Sequence, residues 1–128
     1  MHTHNVYENP PALPHDVVAE VLDRALREDT DPGEAADVLV GIALYDDDPE
    51  FVEGWCVEVG TRAQAGSPLL GLAGLCLGHT ARRFGQLSPK AVALAESLAA
   101  RSQANPSDVD TRALDGLDDI RWFLFRAE

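Results

Sequence analysis

An all-α fold is predicted, and three observations predict it. Within residues 14–128 good helix-capping residues stand directly before proline five times, at Asp31-Pro32, Asp48-Pro49, Ser67-Pro68, Ser88-Pro89 and Asn105-Pro106. Asp, Ser and Asn side chains accept from the unpaired N–H groups of a first turn. Proline suits the next position, where its fixed φ fits the helix and its missing N–H is not needed. The caps are 17, 19, 21 and 17 residues apart, the length of a helix plus a short turn. Between them apolar residues recur at helical spacing, and no stretch alternates with period two over a strand length.

Residues 1–13, with Pro10 and Pro11, are expected to form a flexible N-terminal arm, and residues 14–128 a single domain. His2 and His4 are too few for a defined metal site, which needs three or four converging ligands. Six helices are expected. The first, about residues 15–28, carries Val17, Val18, Val21, Leu22, Ala25 and Leu26 on one stripe. The second opens on Asp31-Pro32-Gly33-Glu34, a capping-box pattern, and runs through Val38, Leu39, Ile42 and Ala43 to about Tyr45. The third starts at Asp48-Pro49, buries Phe51, Val52, Trp55, Cys56 and Val59, and is expected to end near Gly66 in the left-handed conformation. The fourth runs from Ser67-Pro68 to about Phe84, with Arg82 and Arg83 in its last turn, where they favour the macrodipole, and Gly85 as its stop. The fifth runs from Ser88-Pro89 to about Ser102, and the sixth from Asn105-Pro106 or Ser107 to about Phe125.

At 128 residues and 45% hydrophobic content the chain can bury a real core. Its longest apolar run, Leu69 to Leu77, is nine residues, far short of the ~20 that span a bilayer. The start, Met1-His2-Thr3-His4, has no basic stretch followed by an apolar one, so a cytoplasmic protein is expected. Cys56 and Cys76 fall within apolar helical patterns and are expected to be free buried thiols. The net charge of −12 is one-sided: residues 1–58 hold 15 Asp and Glu against Arg24 and Arg27, whereas residues 59–128 hold seven against eight Lys and Arg. Such a surface repels nucleic-acid phosphates and anionic lipid and attracts cationic proteins. Arginine outnumbers lysine nine to one with abundant alanine, a bias of high-GC bacterial genomes.

A shift of 40 residues maps Asp48-Pro49 onto Ser88-Pro89, Leu69 onto Val109, Ala73 onto Ala113 and Leu77 onto Leu117. Helical hairpins repeating at about 40 residues belong to HEAT and armadillo arrays. The segment Ser67-Pro68-Leu69-Leu70-Gly71-Leu72-Ala73-Gly74-Leu75-Cys76-Leu77-Gly78 resembles the second helix of a HEAT repeat. Leu69 takes the valine place of that pattern, Ala73 and Cys76 the small places, and Leu77-Gly78 the close. It departs at Leu70, where the usual arginine is missing, and at Asp118, which replaces the closing glycine in the sixth helix. The resemblance covers residues 48–125 and implies a short right-handed α-α superhelix of three helical hairpins (HEAT/armadillo-like). The N-terminal hairpin would act as a capping repeat. Leu77-Gly78-His79-Thr80-Ala81-Arg82, with Leu117-Asp118-Asp119-Ile120-Arg121-Trp122-Phe123-Leu124, is similar to stand-alone bacterial HEAT-like proteins. Immunity proteins that neutralise bacterial toxins occur among these.

Gly71, Gly74 and Gly78 lie on a helix and lack both the phosphate-loop lysine and the dinucleotide fingerprint, so close helix approach is their expected role. The 40-residue shift sets His79 level with Asp119, beside Asp118. Such a trio could serve acid–base work, but no oxyanion-hole motif accompanies it; a structural hydrogen bond between repeats is expected. Asp115, Asp118 and Asp119 have Arg82, Arg112 and Arg121 to pair with, and Asp46-Asp47-Asp48-Pro49-Glu50 lacks the EF-hand glycine and bidentate Glu. Neither a metal nor a cofactor is expected. Glu20, Asp23, Glu34, Asp37, Asp46, Asp47, Asp48, Glu50 and Glu53 are expected to form a docking patch with few internal ion pairs. The expected function is a non-catalytic protein-binding module for a basic protein, such as a toxin domain, without nucleic acid or membrane. The alternatives are a structural adaptor using Trp122, Phe123 and Phe125, or a HEAT-fold enzyme using His79 and Asp118/Asp119. HEAT-like DNA glycosylases need a basic groove, which residues 1–58 do not supply.

Overall fold

The computed structural model of the chain describes residues 13–28 and 31–125. Among these residues it contains six α-helices: α1 (His15–Glu28), α2 (Gly33–Tyr45), α3 (Pro49–Arg62), α4 (Pro68–Phe84), α5 (Pro89–Ala104) and α6 (Arg112–Ile120). A π-helical turn, Arg121–Phe125, follows α6, and no strand occurs among the described residues. The expected arm, except for Leu13, lies outside the described residues.

Three of the five cap–proline pairs open helices as expected. Asp48 accepts from Glu50 N (3.1 Å) and Phe51 N (3.2 Å), Ser67 from Leu69 N (3.1 Å), and Ser88 from Ala91 N (3.2 Å), each with proline in the first turn. At Asp31 the carboxylate accepts, among the described residues, from Gly33 N alone (2.9 Å). Glu34 faces Arg24 at 3.7 Å, so the capping box is not made among the described residues.

Asn105 is a correction. It closes α5 instead of opening α6, and Asn105 Oδ1 and O fold the chain back by accepting from Ser107 N (3.0 Å) and Asp108 N (2.9 Å). The reason is tertiary. Arg101 holds the Asp108 carboxylate through two bonds of 2.8 and 2.7 Å, and Asp108 O accepts from Gly66 N (2.8 Å), tying this loop to the α3–α4 turn. The helix starts only after Asp110, whose carboxylate accepts from Arg112 N at 3.0 Å. Gly66 is a second correction: α3 stops at Arg62 with Ala63 extended, and Gly66, at φ +87°, turns the loop that follows. Gly85, at φ +70°, ends α4 as expected, its N–H bonded to Ala81 O at 2.9 Å.

Consecutive helices pair as hairpins, α1 with α2, α3 with α4 and α5 with α6. The hairpins stack so that α1, α3 and α5 form one layer and α2, α4 and α6 the other, with α4 at the centre. The second layer is parallel. Arg83, near the end of α4, donates to Ile42 O and Ala43 O at the end of α2; Arg112, at the start of α6, donates to Pro68 O at the start of α4.

The core between the layers includes Leu22, Leu39, Ile42, Val52, Leu70, Leu77, Leu98 and Ile120, all essentially inaccessible to water. Each such side chain stabilises the fold by about 1.5–3 kcal/mol relative to exposure. The pairs Leu69/Val109, Ala73/Ala113 and Leu77/Leu117 are buried throughout, as the 40-residue shift requires. Val17, expected in the core, is 37% exposed; it sits in the first turn of α1 beyond the buried stripe of Val18, Val21 and Leu22.

Helices α4 and α6 approach so closely that their backbones touch. A Cβ on Gly74 would lie 3.1 Å from Ala113 Cα, one on Gly78 2.9 Å from Gly116 O, and one on Gly116 would run into the Gly74 carbonyl. The space a side chain on Gly71 would fill is taken by the Asp110 carboxylate. Gly74 and Gly78 thus serve close helix approach, as expected, whereas Gly71 makes room for a side chain.

Candidate functional site

The acidic residues of the N-terminal half divide into those committed to the fold and those left to solvent. Asp46 is committed. It is buried, accepts from Asp48 N at 2.9 Å, and meets His15 Nε2 at 2.9 Å, so its expected place in a docking patch is corrected. Asp23 holds Arg27 (2.7 Å) and Arg62 (3.1 Å), which keep its carboxyl below the usual value even though it is open to water. Glu53 accepts from Ser88 N at 3.0 Å, fastening α3 to the start of α5, and Asp48 is occupied as a cap.

The expected scarcity of internal ion pairs is therefore only partly right. Arginines of the C-terminal half reach back: Arg62 to Asp23, and Arg83 to Asp47 at 3.4 Å. Sequence distance hid these partners, because stacking brings the third and fourth helices against the first and second. The Asp47 side chain is still 99% exposed, and Glu34 meets Arg24 at only 3.7 Å. The side chains of Glu20, Asp37 and Glu50 are exposed and make no hydrogen bond or ion pair among the described residues. Pairs as exposed as that of Asp47 contribute about 0–1 kcal/mol and leave the acid's field facing solvent. An open groove of about 270 Å³ runs beside Glu50 and Glu53, walled by Pro49, Gln86, Leu87 and Ser88.

The expected bridge from His79 to Asp118 or Asp119 is not made. Arg82 takes the Asp119 carboxylate at 3.1 Å, Asp118 points to solvent, and the His79 imidazole has no hydrogen bond among the described residues. Burial and then the Arg82 charge hold the His79 pKa below its usual value, against a smaller pull from Asp119. An arginine one turn further along α4 reaches the acid that sequence register assigned to histidine. The acid–base trio is absent.

The histidine–carboxylate pair that does form is His15–Asp46, and sequence reading missed it. The imidazole lies flat on Phe51, with ring centroids 3.5 Å apart and planes 3° from parallel, so α1, the α2–α3 turn and α3 meet at one point. Its only sequence signal is that His15 and Asp46 bracket a hairpin, the first residue of one helix and the residue after the next. Cys56 and Cys76 are free and fully buried; the hydrogen bond that the Cys56 thiol donates to Cys76 and the loss of water push it well above its usual value. Such thiols are poor nucleophiles. At the far end of the molecule Trp122, Phe123 and Phe125 are exposed on the π-helical turn, with the Arg82 guanidinium 5.7 Å over the Phe123 ring. No group of three or more His, Cys, Asp or Glu that could hold a metal ion occurs among the described residues, and no helix of the structure is long and apolar enough to cross a membrane. Comparison with protein-family models, curated proteins and solved structures finds no match.

Proposed function

We propose that this chain is a non-catalytic protein-binding module whose acidic N-terminal half docks a basic protein. The observation that carries the reading is the charge of that half. Glu20, Asp37, Asp47 and Glu50 face water with weak cationic partners or none among the described residues. A field of this kind steers a cationic partner and speeds its association. The layered hairpins and the 40-residue correspondence support a short HEAT-like superhelix, with the first hairpin as its cap. Its resemblance to stand-alone bacterial HEAT-like proteins makes an immunity- or antitoxin-like inhibitor of a cationic toxin, acting in the cytoplasm, the most concrete form of the proposal.

The test is association rate against ionic strength for the natural partner recovered by pull-down, using wild type and Asp47→Asn/Glu50→Gln. The rate should fall steeply as salt shortens the Debye length from ~10 Å at 0.1 M to ~3 Å at 1 M. The charge variant should start lower and fall less. A neutral or acidic partner, or a rate indifferent to both changes, would overturn the proposal. The exposed Trp122, Phe123 and Phe125 favour a second reading, an adaptor that docks through this apolar edge. Under that reading Phe125→Ser weakens partner capture, and salt does not.

A further inference from the structure

Seven large apolar side chains are exposed among the described residues, and four of them lie at one end of the first hairpin. Leu13 and Val17 stand at the start of α1, Leu44 and Tyr45 at the end of α2, each 36–40% exposed. The His15–Asp46 contact at 2.9 Å draws these two chain segments together, and the stacked Phe51 anchors both to α3. This end of the hairpin is therefore a partly apolar face fastened to α3.

Its rim is acidic. Asp16, Asp47, Asp48 and Glu50 are exposed around it. Among the described residues the polar groups that could oppose this charge are already engaged. Arg83 is spent on Ile42 O, Ala43 O and Asp47, and the His15 imidazole is held by Asp46.

We infer that this face is the docking surface for a basic protein segment, with an apolar side chain of the partner seated on Val17, Leu44 and Tyr45 and its lysines or arginines on the acidic rim. The inference rests on the proposed function above and names where on the acidic half the partner sits. Charge complementarity selects this occupant. A second copy presenting the same face would set acid against acid. Residues 1–12 contain Glu8 and no lysine or arginine, so this stretch is a poor match in charge for the rim. Phosphate-bearing partners are repelled. An apolar anchor ringed by charge also matches the usual division of an interface into an energetic centre and a polar border.

The experiment uses the full chain labelled with ¹⁵N and three synthetic probes: an amphipathic lysine–leucine peptide, oligolysine of equal charge, and a leucine–glutamate peptide. The lysine–leucine peptide should shift amides around residues 13–17 and 44–50, bind about tenfold tighter than oligolysine, and be weakened about tenfold by Val17→Ser/Leu44→Ser. The leucine–glutamate peptide should not bind, and Phe125→Ser should leave the affinity unchanged. These positions are solvent-facing, so the fold should persist, and the spectrum of each variant checks that directly.

Shifts that map to the Trp122–Phe125 end, or an affinity untouched by Val17→Ser/Leu44→Ser, would overturn the inference. If Asp47→Asn/Glu50→Gln still weakens the probe in that case, the wider electrostatic reading survives. Self-association abolished by Leu44→Ser, or probe binding only after residues 1–12 are deleted, would assign the face to another occupant and overturn the inference too. Failure of both cationic probes to bind at all would count against the proposed function itself.

Discussion

Replacing Asp46 with alanine is expected to destabilise the protein by about 2–3 kcal/mol, although sequence reading places this residue in an acidic docking patch. The magnitude follows from its contacts. The Asp46 side chain is only 5% exposed and accepts from Asp48 N at 2.9 Å, a hydrogen bond to a charged acceptor of about 1.5–3 kcal/mol. Its contact with His15 Nε2, also 2.9 Å, contributes less, about 0.5–1 kcal/mol, because the histidine side chain is 46% exposed and water screens the pair. For a chain of this size the loss corresponds to a fall of roughly 10 °C in Tm. Thermal and urea unfolding followed by circular dichroism would measure it. Asp47→Ala is the control: its side chain is 99% exposed, and its removal should change stability by no more than about 0.5 kcal/mol. A double-mutant cycle of Asp46→Ala with His15→Ala should return a coupling of about 0.5–1 kcal/mol. Equal Tm values for Asp46→Ala and Asp47→Ala would refute the assignment of Asp46 to the fold.

Gly116→Ala should cost about 3 kcal/mol or more, because its Cβ meets the Gly74 backbone, whereas Gly54→Ala on α3, with nothing within 4 Å, should stabilise by about 0.5–1 kcal/mol; urea midpoints compare them. His79 has a depressed folded pKa, so it binds protons less readily in the folded state than in the unfolded one. Its contribution is complete above neutral pH and is lost as pH falls below the unfolded value of about 6.5 toward the lower folded one. His79→Gln should flatten stability over that acidic window, and an unchanged pH profile would contradict the burial argument. Cys56 and Cys76 should react with an aromatic disulfide reagent at least about 100-fold more slowly in the folded protein than in urea, since both are buried and the Cys56 thiol resists ionisation. Comparable rates in the two conditions would show that the hairpin contact between α3 and α4 opens easily.

The residues by themselves determine the helices, because what makes them is local. A capping oxygen at Asp48, Ser67 or Ser88 needs only the next three residues and the proline beside it, and Gly85 ends α4 because its own backbone tolerates φ +70°. The 40-residue correspondence was legible for a similar reason: Leu69/Val109 and Ala73/Ala113 are set by the period with which a repeated surface must be buried.

Long-range competition decides the rest. Asn105 carries the same local signal as Ser88, yet Arg101 and the Gly66 amide claim Asp108 three residues later and hold the chain in turns until Arg112. His79 lies in register with Asp119, but Arg82 is longer, carries a full charge and reaches the acid first. The acidic half illustrates the limit for function. Composition counts charges along the chain, but ionic partners are chosen in space, so Arg62 and Arg83 cross from the other half while Asp46 withdraws into the structure. Which acids remain for a partner is therefore a property of the stacked hairpins. Their number and sign were already written in the first 58 residues.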